Sequence, residues 1–275
     1  MAGRRTVFFV SDQTGVTAET LGRSLLTQFE PHDFDQVTVP FIDSVDKADE
    51  VVRRINAVAA EEGLRPIIFS TLVHEELRQR FVAASALFLD FLDAFLRPLE
   101  LELQTRSSHV PGRAHGIKDA DAYDRRIAAT DFALRNDDGS RVAEYGQADI
   151  ILVGVSRSGK TPTCLYLALT YGVFAANYPL AEDELETGRL PAVLEPHRAR
   201  LYGLTISPER LRQIRHERRP LGRYASIEQV RFELRGAEAL FARYQIPCID
   251  TTALSIEEIA STILSGTGME RRTRS

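Results

Sequence analysis

The stretch "ILVGVSRSGKTPT", Ile151 to Thr163, decides how the chain around it folds. Gly154 to Thr161 spell G-x-x-x-x-G-K-T, a phosphate-binding loop, and average residue usage makes a chance match in a chain this long about a one-in-a-hundred event. An apolar strand, "ADIILVGV", enters the loop, and a helix-compatible segment, "TPTCLYLALTYG", leaves it. Glycines at 154 and 159 let the backbone curl so that successive N–H groups face phosphate oxygens, and the helix beginning near Lys160 adds its positive end. Lys160 is then placed to pair with a transferred phosphate, and Thr161 to offer its hydroxyl to Mg²⁺. Pro162 sits just inside the helix, where a missing N–H costs little. Arg157 and Ser158 could add phosphate contacts, while Arg157 reads equally well as pointing to solvent or to a carboxylate.

About half the chain precedes this loop, and it also alternates strand and helix patterns. "TVFFV", "QVTVPFI" and "RPIIFST" read as strands. Between them lie "VTAETLGRSLLTQF", with Leu21, Leu25, Leu26 and Phe29 at helical spacing, and "SVDKADEVVRRINAVAAEEG", stopped by Gly63. Helical segments are expected from about His74 to Leu103. The segment "QTRSSHVPGRAHGIKDA" loses apolar periodicity and gains Ser, Pro and Gly, as a linker or functional loop does. "DAYDRRIAATDFALRNDDG" is a helix ending on a turn signal, and the later strands fall at "VFAANY", "ARLYGLTI" and "QIPCIDT". The expected fold class is α/β, with an N-terminal parallel-sheet domain (1–140) followed by a C-terminal phosphate-loop, kinase-like α/β domain (141–275).

The 275 residues, 44% hydrophobic and 27% charged, are of ordinary globular composition. A net charge of -5 disfavours general nucleic-acid binding, which needs an excess of Lys and Arg to neutralise phosphates, so no nucleic-acid partner is expected. Two distant cysteines, Cys164 and Cys248, have no metal-ligand spacing, and no apolar leader opens the chain. A cytoplasmic location follows as the expectation. The longest apolar run, "ASALFLDFLDAFLRPL", is cut by Asp90, Asp93 and Arg97, which argues against a membrane span and for a helix on a sheet; its apolar character leaves a homodimer open.

Other residues carry chemistry less specifically. A GTPase is disfavoured, since Asp12 to Gly15 give an Asp-x-x-Gly only upstream of the loop and no Asn-Lys-x-Asp follows. Asp250 closes the strand of "QIPCID" and reads either as the metal carboxylate or as the cap of the following turn. Ser11, Asp12, Thr14, Thr17 and Glu19 gather where a strand ends, as a ligand edge or as a hydroxyl-rich turn with Thr17 as helix cap. "RQIRHERRPLGRYAS" brings Arg215, Arg218, Arg219 and Arg223 close in sequence, as a lid over phosphate or as a solvated helix face. His115, in "PGRAHG", is either a general base or without a role.

With "FFVSDQTGVTAETLG", "YDRRIAATDFAL", "AANYPL", "LYGLTISPERLRQIRHERR" and "RYAS" added to "GVSRSGKTPTCLYLA", the chain resembles the bacterial phosphoenolpyruvate synthase regulatory proteins, relatives of the pyruvate, phosphate dikinase regulatory proteins, from about Thr6 to Leu264. The resemblance implies a bifunctional enzyme: a kinase that uses ADP to phosphorylate a threonine on the synthase, and a phosphorylase that removes the phosphate with inorganic phosphate and releases pyrophosphate. It implies nucleotide binding by Gly154, Val155, Ser156, Arg157, Ser158, Gly159, Lys160 and Thr161. The N-terminal half would grip the protein substrate. Both directions need a base, and Asp12, His115, Asp131 and Asp250 are the candidates beside Lys160 as the charged catalytic group. The dikinase as target, an ATP-dependent small-molecule kinase and a non-catalytic ADP-sensing adaptor are the rival readings.

Overall fold

The computed structural model describes residues 4–29, 32–108, 120–219 and 222–269. They form two compact units, Met1–Gly116 and Ile117–Ser275, each built on a four-stranded, all-parallel sheet. Among the described residues no helix is long and apolar enough to cross a membrane.

The first unit runs β1 (Arg5–Val10), α1 (Val16–Leu26), β2 (Phe34–Val39), α2 (Val45–Glu62), β3 (Ile67–Ser70), α3 (Glu75–Val82), β4 (Leu87–Asp90) and α4 (Phe91–Leu103), with strand order β2-β1-β3-β4. β1 is central and buried on both faces, so its side chains split between two cores. Phe8 and Val10 pack with Ile42, Ile55, Leu72 and Phe81. Val7 and Phe9 pack with Ala18, Leu26, Ile67 and Phe69. The Ser44 hydroxyl caps α2 by accepting the Lys47 N–H, and Gly63 ends it at φ 64, as its sequence position predicts.

Three expectations are corrected here. The helical segments expected from His74 to Leu103 are separated by β4, because "LFLD" pairs in register with Ile67–Ser70 along the free edge of β3; a short apolar run fits helix or strand, and the open edge decides. Of the helical apolar set on α1, Leu26 is buried, but Leu21, Leu25 and Phe29 remain exposed. α1 also begins at Gly15, in left-handed conformation at φ 81, so Thr17 is not its cap.

The second unit runs α5 (Ala120–Arg135), β5 (Ile150–Gly154), α6 (Lys160–Tyr171), β6 (Ala175–Pro179), α7 (Glu182–Thr187), β7 (Leu201–Thr205), α8 (Pro208–Arg218), α9 (Ile227–Tyr244), β8 (Cys248–Asp250) and α10 (Ile256–Thr267), with strand order β6-β5-β7-β8. The first strand of each unit thus lies between the second and third, the same order twice over without sequence repetition. Ile151 and Val153 of β5 face a core shared with Leu211, Leu234 and Phe241. Ile150 and Leu152 face Leu167, Ile259 and Ile263.

The division between units falls at 116/117, within the segment Gln104–Ala120 read as a linker or loop and before the 140/141 bounds. The reason is α5: Ala129 and Ala133 are buried in the core beneath α6, and Phe132 in the opposite core, so this helix belongs with the phosphate loop.

Candidate functional site

The phosphate loop leaves the C-terminal end of β5, the strand flanked by β6 and β7, which is where strand order reverses in an open α/β sheet and a crevice forms. Two backbone facts require its glycines. A Cβ at Gly154 would stand 2.5 Å from the Leu204 carbonyl oxygen on neighbouring β7. Gly159 has φ 94 and starts α6 without any side-chain cap, leaving the first N–H groups of that helix directed at the loop. Arg157 is held at φ 74 and is exposed.

Lys160 is 4% exposed, and its ammonium donates to the Val155 carbonyl at 2.9 Å, folding the side chain back across the loop. Burial pushes the ammonium down to about 8, against the opposing pull of Asp138 and Asp137. The Thr161 hydroxyl donates to Asp137 Oδ1 at 2.7 Å. The same oxygen accepts from Asn177 Nδ2 at 2.6 Å, and Asn177 Oδ1 accepts the Asp138 N–H at 3.0 Å. Asn177 sits on β6 and is fully buried, so it fixes the Asp137 turn against the sheet.

The far side of the loop is held by Arg215 of α8, fully buried. Its Nε and Nη2 donate to the Ser156 carbonyl at 3.3 and 3.1 Å, Nη1 to the Tyr224 carbonyl at 3.1 Å, and Nη2 also to Glu233 Oε2 at 2.6 Å. The guanidinium lies 4.5 Å over the Tyr224 ring, whose hydroxyl is 3.0 Å from that of Ser156. Thr251, just past β8, donates to the Ser158 carbonyl at 3.3 Å. The Ser158 hydroxyl itself is buried with no partner.

A loop of this shape, with a buried lysine and an acidic partner on its threonine, has the geometry that a polyphosphate would need. The family model described as Kinase/pyrophosphorylase matches residues 7–264. The chain belongs to this family. It is 53% identical over 269 residues to a Pseudomonas putida protein named "Putative phosphoenolpyruvate synthase regulatory protein", covering 98% of this chain and 99% of that one. Proteins of the same name from Marinobacter nauticus and Legionella pneumophila are 50% and 51% identical, again over 98% of this chain and 99% of theirs. Family membership supports a phosphotransferase.

In this kinase/pyrophosphorylase chain the residues singled out from sequence are not all brought together. Gly154 through Thr161 run as one continuous loop from the end of β5 into the first turn of α6. Asp250 ends β8, but its Oδ1 accepts the Thr252 N–H at 2.8 Å and the Thr252 hydroxyl, the turn-capping alternative. The carboxylate on Thr161 is instead Asp137, read from sequence only as part of a turn signal. Asp131 is on the exposed side of α5. Asp12 is in the first unit, 7% exposed, accepting the Val73 N–H at 3.0 Å and so tying the loop after β1 to that after β3. His115 lies outside the described residues. The basic run divides: Arg215 is a buried brace, whereas Arg223 is exposed and pairs with Glu182 at 2.6 Å.

Asp137, Asn177, Tyr224 and Glu233 were missed. The one available signal was the buried-strand position of Asn177 in "AANYP", an amide where an apolar residue is the rule.

Proposed function

We propose that this chain is an ADP-dependent protein threonine kinase and phosphate-dependent, pyrophosphate-releasing phosphorylase acting on phosphoenolpyruvate synthase. The observation that carries it is the buried Lys160 in a cradle whose threonine is partnered by Asp137, in a chain matched end to end by relatives named for regulating that synthase. In the forward direction the threonine oxygen takes the β-phosphoryl group of ADP, AMP leaves, and the hydroxyl proton passes to a base. In reverse, inorganic phosphate attacks phosphothreonine, threonine is restored and pyrophosphate leaves.

One cradle serves both directions, because the loop N–H groups and Lys160 grip the β-phosphate of ADP or free phosphate alike. Their charge balances the negative charge spread over the transferred group. Thr161 and Asp137 would hold Mg²⁺, since a hydroxyl and a carboxylate are oxygen donors of the kind it takes. Bound there, Mg²⁺ would neutralise phosphate charge. Arg215 keeps the loop carbonyl at Ser156 turned away from the anion, and the Ser158 hydroxyl retains a proton to donate. We assign the proton acceptor to Asp138, the exposed carboxylate next in the chain to Asp137 and pinned beside the loop by its own N–H, which donates to Asn177 Oδ1 at 3.0 Å.

The test is the intact mass of purified synthase after incubation with this protein and ADP, with the synthase's own substrates present. A gain of one phosphate on threonine, reversed by inorganic phosphate with pyrophosphate released, is expected; Asp138→Asn should slow both directions about 10²-fold or more. No gain on the synthase, together with turnover of ATP on a metabolite, would give the reading to a small-molecule kinase. ADP binding without any transfer would give it to an adaptor, and transfer to the dikinase alone would change the target.

A further inference from the structure

The first unit carries a built groove that the phosphate chemistry does not use. Its sheet face on the α1 and α4 side is floored by Phe69 of β3 and by Leu87 and Leu89 of β4, which register beside Ile67 and Phe69. Exposed Leu25 of α1 and Phe29, in the turn that follows it, form one wall. α4 has no buried residue at all, with Phe95 65% and Leu101 80% exposed. Two cavities of about 660 and 380 Å³ share Leu25, Phe69 and Leu89, so they form one continuous trough between the helices.

The trough has a polar end. Glu75, Asp90 and Asp93 surround Arg78 there, and even with Arg97 at the rim three carboxylates meet two guanidinium groups. The Asp90 side chain is 9% exposed; Oδ1 accepts the Asp93 N–H at 2.9 Å, but buried Oδ2 has no hydrogen-bond donor, Arg78 standing 3.7 Å away. A buried carboxylate oxygen without a donor is costly unless something arriving from outside supplies one. Desolvation accordingly raises the Asp90 carboxyl above its ordinary range.

We propose that this trough docks an amphipathic helix of the protein substrate, its apolar side chains on Leu25, Leu89 and Phe69 and a lysine or arginine at Asp90. The inference rests on the protein-kinase reading and names how the substrate is held. A helix fits because α1 and α4 flank a gap on one face of a sheet, and a third helix there completes the layer. The surplus carboxylate charge selects a basic residue. A second copy of this chain fits poorly, since a two-fold contact sets concave trough on concave trough.

The test uses the full chain and purified phosphoenolpyruvate synthase. Leu25→Glu and Leu89→Glu place charge on the apolar floor, and Asp93→Lys reverses charge at the polar end. Synthase binding is measured without nucleotide, alongside KM for the synthase, ADP affinity, the thermal midpoint and the sedimentation mass. At least a tenfold loss of synthase affinity and rise in KM in all three variants is expected, with ADP affinity, folding and mass as in the parent chain. Synthase affinity unchanged in Leu25→Glu, the substitution on the more exposed wall, overturns the proposal. So does a parent dimer that the variants convert to monomer, since the occupant is then a second copy. Parent binding that the variants abolish, with no phosphoryl transfer by the parent, keeps the docking site and removes the reaction; normal transfer by parent and variants alike does the reverse. A parent that neither binds nor modifies the synthase overturns both.

Discussion

At the residue scale, Lys160 is the group on which the proposed transfer turns, and burial lowers its ammonium to about 8. In the free site its ammonium is fully charged below about pH 8 and is lost as pH rises through that value. A bound polyphosphate favours the charged form and raises it again. The contribution of Lys160 to ADP affinity should therefore be greatest below about pH 8 and fall as pH rises through it, with proton uptake on binding once the free ammonium has begun to titrate. Calorimetry in two buffers of different ionisation enthalpy reads that uptake directly; an identical binding enthalpy in both would sink the assignment. Arg215 does a different job. Arg215→Ala would strand the Glu233 carboxylate and the Ser156 carbonyl, at a cost of about 3–5 kcal/mol in urea unfolding. Arg215→Lys should recover little, because a lysine cannot fork to both carbonyls and the carboxylate.

At the scale of elements, the sheets are legible in sequence wherever a strand is buried on both faces. β1 and β5 announce themselves as unbroken apolar runs, and the glycine ends of α2 and the phosphate loop fall where expected. β4 is not legible, because it is short and its alternative as helix is equally apolar. α1 shows how closely an element can depend on a missing side chain. A Cβ at Gly22 would lie 2.4 Å from Phe9 Cε1 and 2.7 Å from Phe69 Cδ2, two buried rings stacked 5.9 Å apart. Neither ring has room to retreat, so Gly22→Ala should lift α1 from the sheet and cost about 1–3 kcal/mol. An unfolding midpoint equal to that of the parent chain would contradict this packing.

At the scale of the whole molecule, the position of α5 determines where the chain can be cut. A fragment of residues 117–275 keeps Ala129, Phe132 and Ala133 in its cores and Asp137 on Thr161, and should melt cooperatively and bind ADP as the full chain does. A fragment starting at 141 loses all of these and should do neither. Circular dichroism melting and ADP titration of the two fragments check this; equal behaviour would show that α5 is dispensable. The longer fragment should still fail on the synthase, if the trough of the first unit holds that substrate.

By itself the sequence determined the parallel α/β class, the phosphate loop from Gly154 to Thr161 and the family, because each is written in contiguous residues: a period, a glycine spacing, a run of matched segments. Only the tertiary structure decided that Asp137 and not Asp250 meets Thr161, that Arg215 is a brace and not part of a lid, and that the apolar residues of α1 and α4 flank a trough. Those facts depend on which strand lies beside which and on which helix faces are left uncovered. Thr161 and Asp137 are separated by 24 positions, and it is the packing of Asn177 on β6 that brings them within 2.7 Å.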